Sequence, residues 1–338
     1  MNKIEQRRWL ILFEELGLLG NALILLASLV IIDKASDWTI LNSVRVADIT
    51  GFGKTTIGFI LVAFSTSLPE LCVSIFAAIG GENIGIAIGN VLGSNIVNIC
   101  FILGICFLIV TLKSSEIIEL AVVMTGEEIG TLYSGLFWAS IIPLAILYIG
   151  YASRIIGIIL LSIFVFYVYR LSKTRNIRDE GALGDERRRL PKYAFFTILG
   201  AVLVVASSYF IVDSASNIAE DLGVPKIVIG ATVVAFGTSL PELTTSISSI
   251  RRGHIDLTLG NIIGSCFINI TCILGVALMS ATLSINMAAF SNLVMFSLIV
   301  NLLLWYFLSG ERIGWREGAM LLFLYLVFLI VSFGGYRT

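Results

Sequence analysis

Charge is what this chain has least of. Of its 338 residues, 13% are charged and 57% are hydrophobic, whereas soluble domains carry about 25% charged residues. That excludes a soluble globular domain. The 22 basic and 23 acidic side chains nearly cancel, and outside one loop there is no basic face, so no nucleic-acid partner is expected. Histidine is almost missing. His254 alone stands beside Arg251 and Arg252 at a helix junction, where a headgroup-facing side chain is expected rather than a metal ligand. The cysteines (Cys72, Cys100, Cys106, Cys266 and Cys272) form no CxxC pair and fall in apolar runs. They read as small core residues, not as a disulfide framework or a thiolate metal site. With no nucleophile–base pair in any apolar segment, an enzyme is not expected.

What the chain has instead is long apolar runs. They predict an all-α polytopic membrane protein of about ten transmembrane helices, near 10–32, 54–80, 84–112, 131–150, 153–172, 193–216, 225–250, 255–280, 285–308 and 314–334. Glu14 and Glu15 interrupt the first run and no small-residue cleavage site follows, so a retained first helix is expected rather than a signal peptide. The sizeable polar stretch, Ser172 to Lys192, is rich in Lys and Arg and is assigned to the cytoplasmic side of the cell membrane. Lys34, Arg45, Lys54, Arg251, Arg252, Arg312 and Arg316 then also fall inside. Lys3, Arg7 and Arg8 are the local exception. The acidic segment 114–130, with Glu116, Glu119, Glu127 and Glu128, is expected to be a solvated amphipathic connector.

The chain also says one thing twice. VAFSTSLPEL runs from Val62 to Leu71 and VAFGTSLPEL from Val234 to Leu243. GNVLGSNIVNI follows at Gly89 to Ile99, and GNIIGSCFINI at Gly260 to Ile270. Each first phrase sets a carboxylate, Glu70 or Glu242, inside an apolar run. That costs several kcal/mol in lipid and marks a functional site. The copies are separated by five helix-to-helix steps, an odd number, so the second runs through the membrane in the opposite direction, as in inverted-repeat transporters. The domain division follows: a first repeat over 1–172 with its motif at 57–104, a linker over 173–192, and a second repeat over 193–338 with its motif at 229–275.

Thr66 and Ser67 lie four and three residues before Glu70, as Thr238 and Ser239 do before Glu242. On a helix each set shares a face. Ser94 with Asn98, and Ser265 with Asn269, are also four apart. Hydroxyl, carboxylate and amide oxygens are hard ligands that suit Ca²⁺ and Na⁺ rather than Zn²⁺ or Cu⁺. Pro69 and Pro241 each remove a helical N–H and so free a carbonyl one turn earlier. Carbonyls from Ala63 to Thr66 and from Ala235 to Thr238 are therefore candidate ligands as well.

On these duplicated phrases the chain resembles the cation/calcium antiporter superfamily, on its sodium/calcium exchanger side, in the compact prokaryotic form. The resemblance implies exchange of Na⁺ for Ca²⁺ by alternating access, with no cofactor. It implies that both ions share Glu70 and Glu242, and that the carbonyls of Thr66 and Thr238 complete the calcium site. Ser67, Ser94, Ala63 and Thr66 would form one flanking sodium site. Ser239, Ser265, Ala235 and Thr238 would form the other, with Asn98 and Asn269 lining the middle. Family stoichiometry implies electrogenic exchange. Ser65 stands where the second copy has Gly237, so the first break is expected to bend less freely. Asn269 replaces an aspartate found in some relatives, including the potassium-dependent branch. Two carboxylates are neutralised by one Ca²⁺, and no K⁺ requirement is expected. A proton/calcium antiporter on the same fold is the alternative, because a buried carboxylate can carry a proton. The expected partners are Ca²⁺, Na⁺, possible substitutes Li⁺ and H⁺, and the lipid bilayer, with the protein acting as a monomer.

Overall fold

A computed structural model of the chain describes residues 17–50, 66–79, 83–114, 118–119, 127–149, 154–173, 189–251, 255–280, 287–309 and 312–334. Ala63, Ser65, His254, the first turns of the expected first helix and most of the polar linker lie outside them. The first half holds α1 (Gly17–Thr50), α2 (Leu68–Ala78) and α3 (Ile84–Ile96). A π-helical stretch, π1 (Val97–Leu103), leads on into α4 (Gly104–Ser114), and α5 (Glu127–Ile149) and α6 (Arg154–Lys173) follow. The second half opens with α7 (Leu190–Asp221). A broken helix comes next, made of α8 (Lys226–Ile229), π2 (Gly230–Val234), α9 (Ala235–Thr238) and α10 (Leu240–Arg251). Then come α11 (Ile255–Ile268), π3 (Asn269–Ile273), α12 (Leu274–Ser280), α13 (Met287–Ser309) and α14 (Trp315–Gly334).

Among the described residues six helices are long and apolar enough to cross a membrane, and the bent pair Lys226–Thr238 with Leu240–Arg251 makes a seventh. The segments Leu68–Ala78 and Ser134–Ile146 are apolar but shorter. The protein is thus a helical, polytopic membrane protein, with fewer described spans than the ten that hydropathy suggests. Two residues depart from the all-helical expectation at each of two places. β1 (Ile118–Glu119) pairs antiparallel with β2 (Arg312–Ile313), placing Ile118 opposite Ile313 and Glu119 opposite Arg312. Part of the expected connector is therefore tied to the chain far downstream. A strand of two residues is too short to show the period-two alternation by which sequence reveals strands.

α1 also outruns the apolar run that predicts it. From Asn21 to Thr50 there is neither glycine nor proline, so nothing stops the helix where the charges begin at Asp33 and Lys34. α7 stops at a glycine instead. Gly223 takes φ +63°, and Val224 N–H reaches back to the Ala219 carbonyl at 3.0 Å, the bond that closes a helix in a Schellman motif. α1 and α7 pack along their lengths and run antiparallel. Asn217 Nδ2 donates to Asn21 Oδ1 at 3.2 Å near one end, while Trp38 meets Phe196 at 5.5 Å near the other. The two helices also share a pattern. Leu19, Gly20, Leu23, Ser28, Ile31, Asp33, Ala35 and Ser36 recur in order as Leu199, Gly200, Leu203, Ser208, Ile211, Asp213, Ala215 and Ser216.

The halves meet at the centre. α3 lies against α8 and π2 of the other half so closely that a Cβ at Gly89 would collide with the Ile227 carbonyl, and one at Gly93 with the Ala231 carbonyl. Only glycine permits that approach, which brings the backbones of the two halves into contact.

Candidate cation site

Both TSLPE phrases start a helix at the leucine, and in the second the preceding α9 breaks at Ser239. Ser67 has φ −83° and ψ 7°, and Ser239 has φ −85° and ψ 9°. The two serines thus share one conformation. Pro69 and Pro241 explain it: a residue without an N–H is tolerated in the first turn of a new helix but not in the interior of an old one. At the second break the axis turns by 41°. Glu70 and Glu242 then occupy the first turns of α2 and α10, where the positive end of the helix dipole favours a carboxylate.

That arrangement alone would also describe an ordinary capped helix start, and the hydroxyls decide between the two. Ser67 holds the capping position of α2 but makes no capping hydrogen bond. Its Oγ donates across the molecule to Glu242 Oε1 at 3.4 Å. Ser239 does the reciprocal thing, donating to Glu70 Oε1 at 3.1 Å. Ser265 Oγ donates to Glu242 Oε1 as well, at 3.2 Å. The threonines cross over too: Thr238 Oγ1 donates to Asn90 Oδ1 at 3.0 Å, and Thr66 Oγ1 to Asn261 Oδ1 at 3.3 Å. Thr66 Oγ1 also lies 3.3 Å from Ser265 Oγ. Each half therefore builds the other half's site.

Glu70 and Glu242 are both 0% exposed. Each has one carboxylate oxygen in the hydrogen bonds above, while its other oxygen, Oε2, has no partner. On α3, π1 and π3, Ser94 Oγ, both polar atoms of Asn98, and Asn269 Oδ1 are equally buried and equally without partners. Buried polar atoms are nearly always paired, and an unpaired buried charge is costly. A cation among the carboxylate, hydroxyl and amide oxygens removes the cost for those oxygens at once, though not for the Asn98 Nδ2 donor. The donor set is oxygen-rich and low in charge, since no cluster of three or more His, Cys, Asp or Glu occurs among the described residues. That is the chemistry of Ca²⁺ and Na⁺.

Of the residues singled out from sequence, Thr66, Ser67, Glu70, Ser94, Asn98, Ala235, Thr238, Ser239, Glu242, Ser265 and Asn269 are all buried, and Ala63 lies outside the described residues. The Ala235 carbonyl accepts the Ser239 N–H at 3.1 Å and the Thr238 hydroxyl at 3.3 Å. Ligation there requires Thr238 to keep only its bond to Asn90. Asn98 and Asn269 sit at the openings of π1 and π3. π turns of this kind recur at functional sites. At Gly237 a Cβ would collide with the side chain of Leu29 of α1. The sequence reading overlooks Asn90, Asn261 and Asn95. Asn90 and Asn261 hold the crossed threonines. Asn95 bridges, donating to the Cys266 carbonyl at 3.2 Å and accepting from Asn269 Nδ2 at 3.1 Å. The signal for the first two is in the chain, because both phrases begin Gly-Asn. For Asn95 there is none, because its counterpart is Cys266.

Residues 20–173 and 192–334 match the family described as sodium/calcium exchanger protein. The chain belongs to the sodium/calcium exchanger family. Within it, a sodium/calcium exchanger of Methanosarcina acetivorans is 32% identical over 93% of this chain and 98% of its own length. A structure of the sodium–calcium exchanger NCX_Mj, solved in studies of extracellular ion exchange, is 29% identical over 94% of this chain and 99% of that one, with a TM-score of 0.61. The H⁺/Ca²⁺ exchanger CAX, 18% identical, shares the fold with a TM-score of 0.74 over 98% of this chain and 93% of that one.

Proposed function

We propose that this member of the family exchanges Na⁺ for Ca²⁺ across the cell membrane by alternating access between two inverted repeats of five helices, 1–172 and 193–338. The observation that carries the proposal is the pair of buried carboxylates, Glu70 and Glu242, each anchored at one oxygen by a hydroxyl of the opposite half and unpartnered at the other. Ca²⁺ takes the free oxygens of both carboxylates, with the Thr66 and Thr238 carbonyls. Na⁺ takes the flanking sets: Thr66, Ser67, Ser94 and Ala63 on one side, and Thr238, Ser239, Ser265 and Ala235 on the other. Asn98 and Asn269 line the middle. Because both loads need Glu70 and Glu242, the pocket holds one or the other, and that exclusion is what couples their movements. The antiparallel packing of α1 and α7, with their shared residue pattern, supports the inverted arrangement.

The remaining features follow from charge. Two carboxylates balance one Ca²⁺, so no K⁺ is required, and a sodium load above two charges makes exchange electrogenic. The protein acts as a monomer, needs no cofactor and performs no catalysis. The 173–192 linker faces the cytoplasm, where its basic residues hold it. The test is competition on the purified protein in detergent at fixed pH. Bound radiolabelled Ca²⁺ should be displaced by Na⁺ but not by K⁺, and Glu70→Gln should bind neither. Ca²⁺ binding that ignores Na⁺ and falls only on acidification would replace this proposal with proton/calcium antiport.

A further inference from the structure

The two halves carry the same residues but not the same bonds. Asn90 Nδ2 donates to the Glu70 carbonyl at 3.2 Å and to Ser74 Oγ at 3.1 Å, so α3 grips the start of α2. The corresponding residues of the second half are Asn261 and Ser246, the latter four residues beyond Glu242 as Ser74 is beyond Glu70. Asn261 accepts its threonine just as Asn90 does. Yet Asn261 Nδ2 and Ser246 Oγ both lack partners, although the two residues are 3% and 0% exposed. Two buried groups that lack partners are costly as they stand, and a bond between the Asn261 Nδ2 donor and the Ser246 hydroxyl would relieve both.

The helices concerned lead to opposite connections: α2 runs from Glu70 toward residues 80–82, and α10 from Glu242 toward residues 252–254. α10 is also the looser of the two. Thr244 is exposed where its counterpart Cys72 is half-buried, and Thr245 and Ser249 are half-buried where Val73 and Ala77 are buried. The surface opened along α10 consists of hydroxyls, which suit water rather than lipid.

We propose that Asn90 with Ser74, and Asn261 with Ser246, are two clamps that close alternately. Each pins the helix beyond its glutamate when that side of the membrane is shut. In this structure the α2 clamp is closed and the α10 clamp is open. Switching access opens the first and closes the second. All four are positioning residues, not ligands. The inference rests on the alternating access proposed above but not on which ions are exchanged.

Cys72 and Thr244 occupy equivalent places on α2 and α10, and they supply the test. A membrane-impermeant thiol reagent is applied to each face of ion-free proteoliposomes holding the full chain, and labelling of Cys72, and of Thr244→Cys as a second probe, is read by mass spectrometry. Ser74→Ala weakens the closed clamp and should raise Cys72 labelling from the 80–82 side about two- to tenfold, the effect of one hydrogen bond. Ser246→Ala removes the bond of the opposite state and should lower it. The Thr244→Cys probe should change in the reverse sense, and Ser74→Thr, which keeps a hydroxyl, should restore the original rates. A shift of the same sign in both alanine variants, no shift, or a Thr244→Cys site that resists labelling from either face would overturn the proposal. Because no transported ion is present, a chain that exchanges H⁺ instead of Na⁺ would leave the labelling result unchanged.

Discussion

The Ser239 hydroxyl donates to Oε1 of Glu70 across 3.1 Å, so a carboxylate of the first half is held by the half of the chain that does not carry it. Ser67 does the same for Glu242. Neither half has a complete site, and relative movement of the halves must change the geometry of both carboxylates together. That is a requirement for coupling.

Neutralising either carboxylate should stop Ca²⁺ handling while leaving the protein folded. Glu70→Gln and Glu242→Gln each remove half the negative charge that balances Ca²⁺. We predict at least a hundredfold loss of Ca²⁺ affinity, about 2.7 kcal/mol. Equilibrium binding checks the loss, and an unchanged or raised thermal midpoint checks the fold, since removing an uncompensated buried charge relieves the ion-free state.

Ser94 and Ser239 should behave differently from each other. Ser94 Oγ has no partner among the described atoms, so Ser94→Ala should leave ion-free thermal stability unchanged and raise only the Na⁺ concentration needed for half-saturation. Ser239→Ala also loses a hydrogen bond to a charged group, which contributes about 1.5–3 kcal/mol. It should therefore weaken Na⁺ binding about tenfold or more and shift the ion-free midpoint too. Thermal unfolding with and without Na⁺ separates the two.

The contact between the halves predicts a steric phenotype. Gly89→Ala places a methyl against the Ile227 carbonyl, whereas Gly334→Ala meets nothing within 4 Å. The first should destabilise the protein by about 1–3 kcal/mol or more, the usual range for overpacking, and the second should be silent. Midpoints measured in detergent decide it.

The paired amides predict independence from K⁺. Asn269 stands at the opening of π3 with Oδ1 unpartnered. Asn269→Asp adds a third carboxylate beside Glu70 and Glu242 and should change which cations support Ca²⁺ transport. Transport by the wild type that needs K⁺, or an Asn269→Asp variant with unchanged cation dependence, would contradict the charge argument.

How legible was all this in the sequence? The duplicated carboxylates were plain, because a glutamate inside an apolar run is costly and two such runs agree residue by residue. The hydroxyls at three and four residues from each glutamate are residues that the fold does bury. What the spacing does not carry is the crossing. Helical periodicity relates Ser67 to Glu70, but Ser67 donates to Glu242, 175 residues away, and only the packed fold makes that contact. The asymmetry between Asn90 and Asn261 was equally beyond reach, since identical residues imply identical bonds until the halves take different conformations. The contact of Gly237 with Leu29 was out of reach as well, because Leu29 belongs to a helix that local pattern does not bring near. The paired strands at Ile118–Glu119 and Arg312–Ile313 were invisible because two residues have no period.

The most direct test of the central claim is Ca²⁺ uptake into proteoliposomes loaded in turn with Na⁺, with K⁺, and with acidic buffer free of Na⁺, for the wild type and Glu242→Gln. Exit of more than two Na⁺ per Ca²⁺ moves net positive charge out, so an inside-positive potential should speed uptake, and the comparison is read at zero potential first: there the account predicts rapid uptake with Na⁺, none with K⁺ or acid, and none in Glu242→Gln. Equal uptake driven by the proton gradient without Na⁺, or uptake that survives in Glu242→Gln, would contradict it.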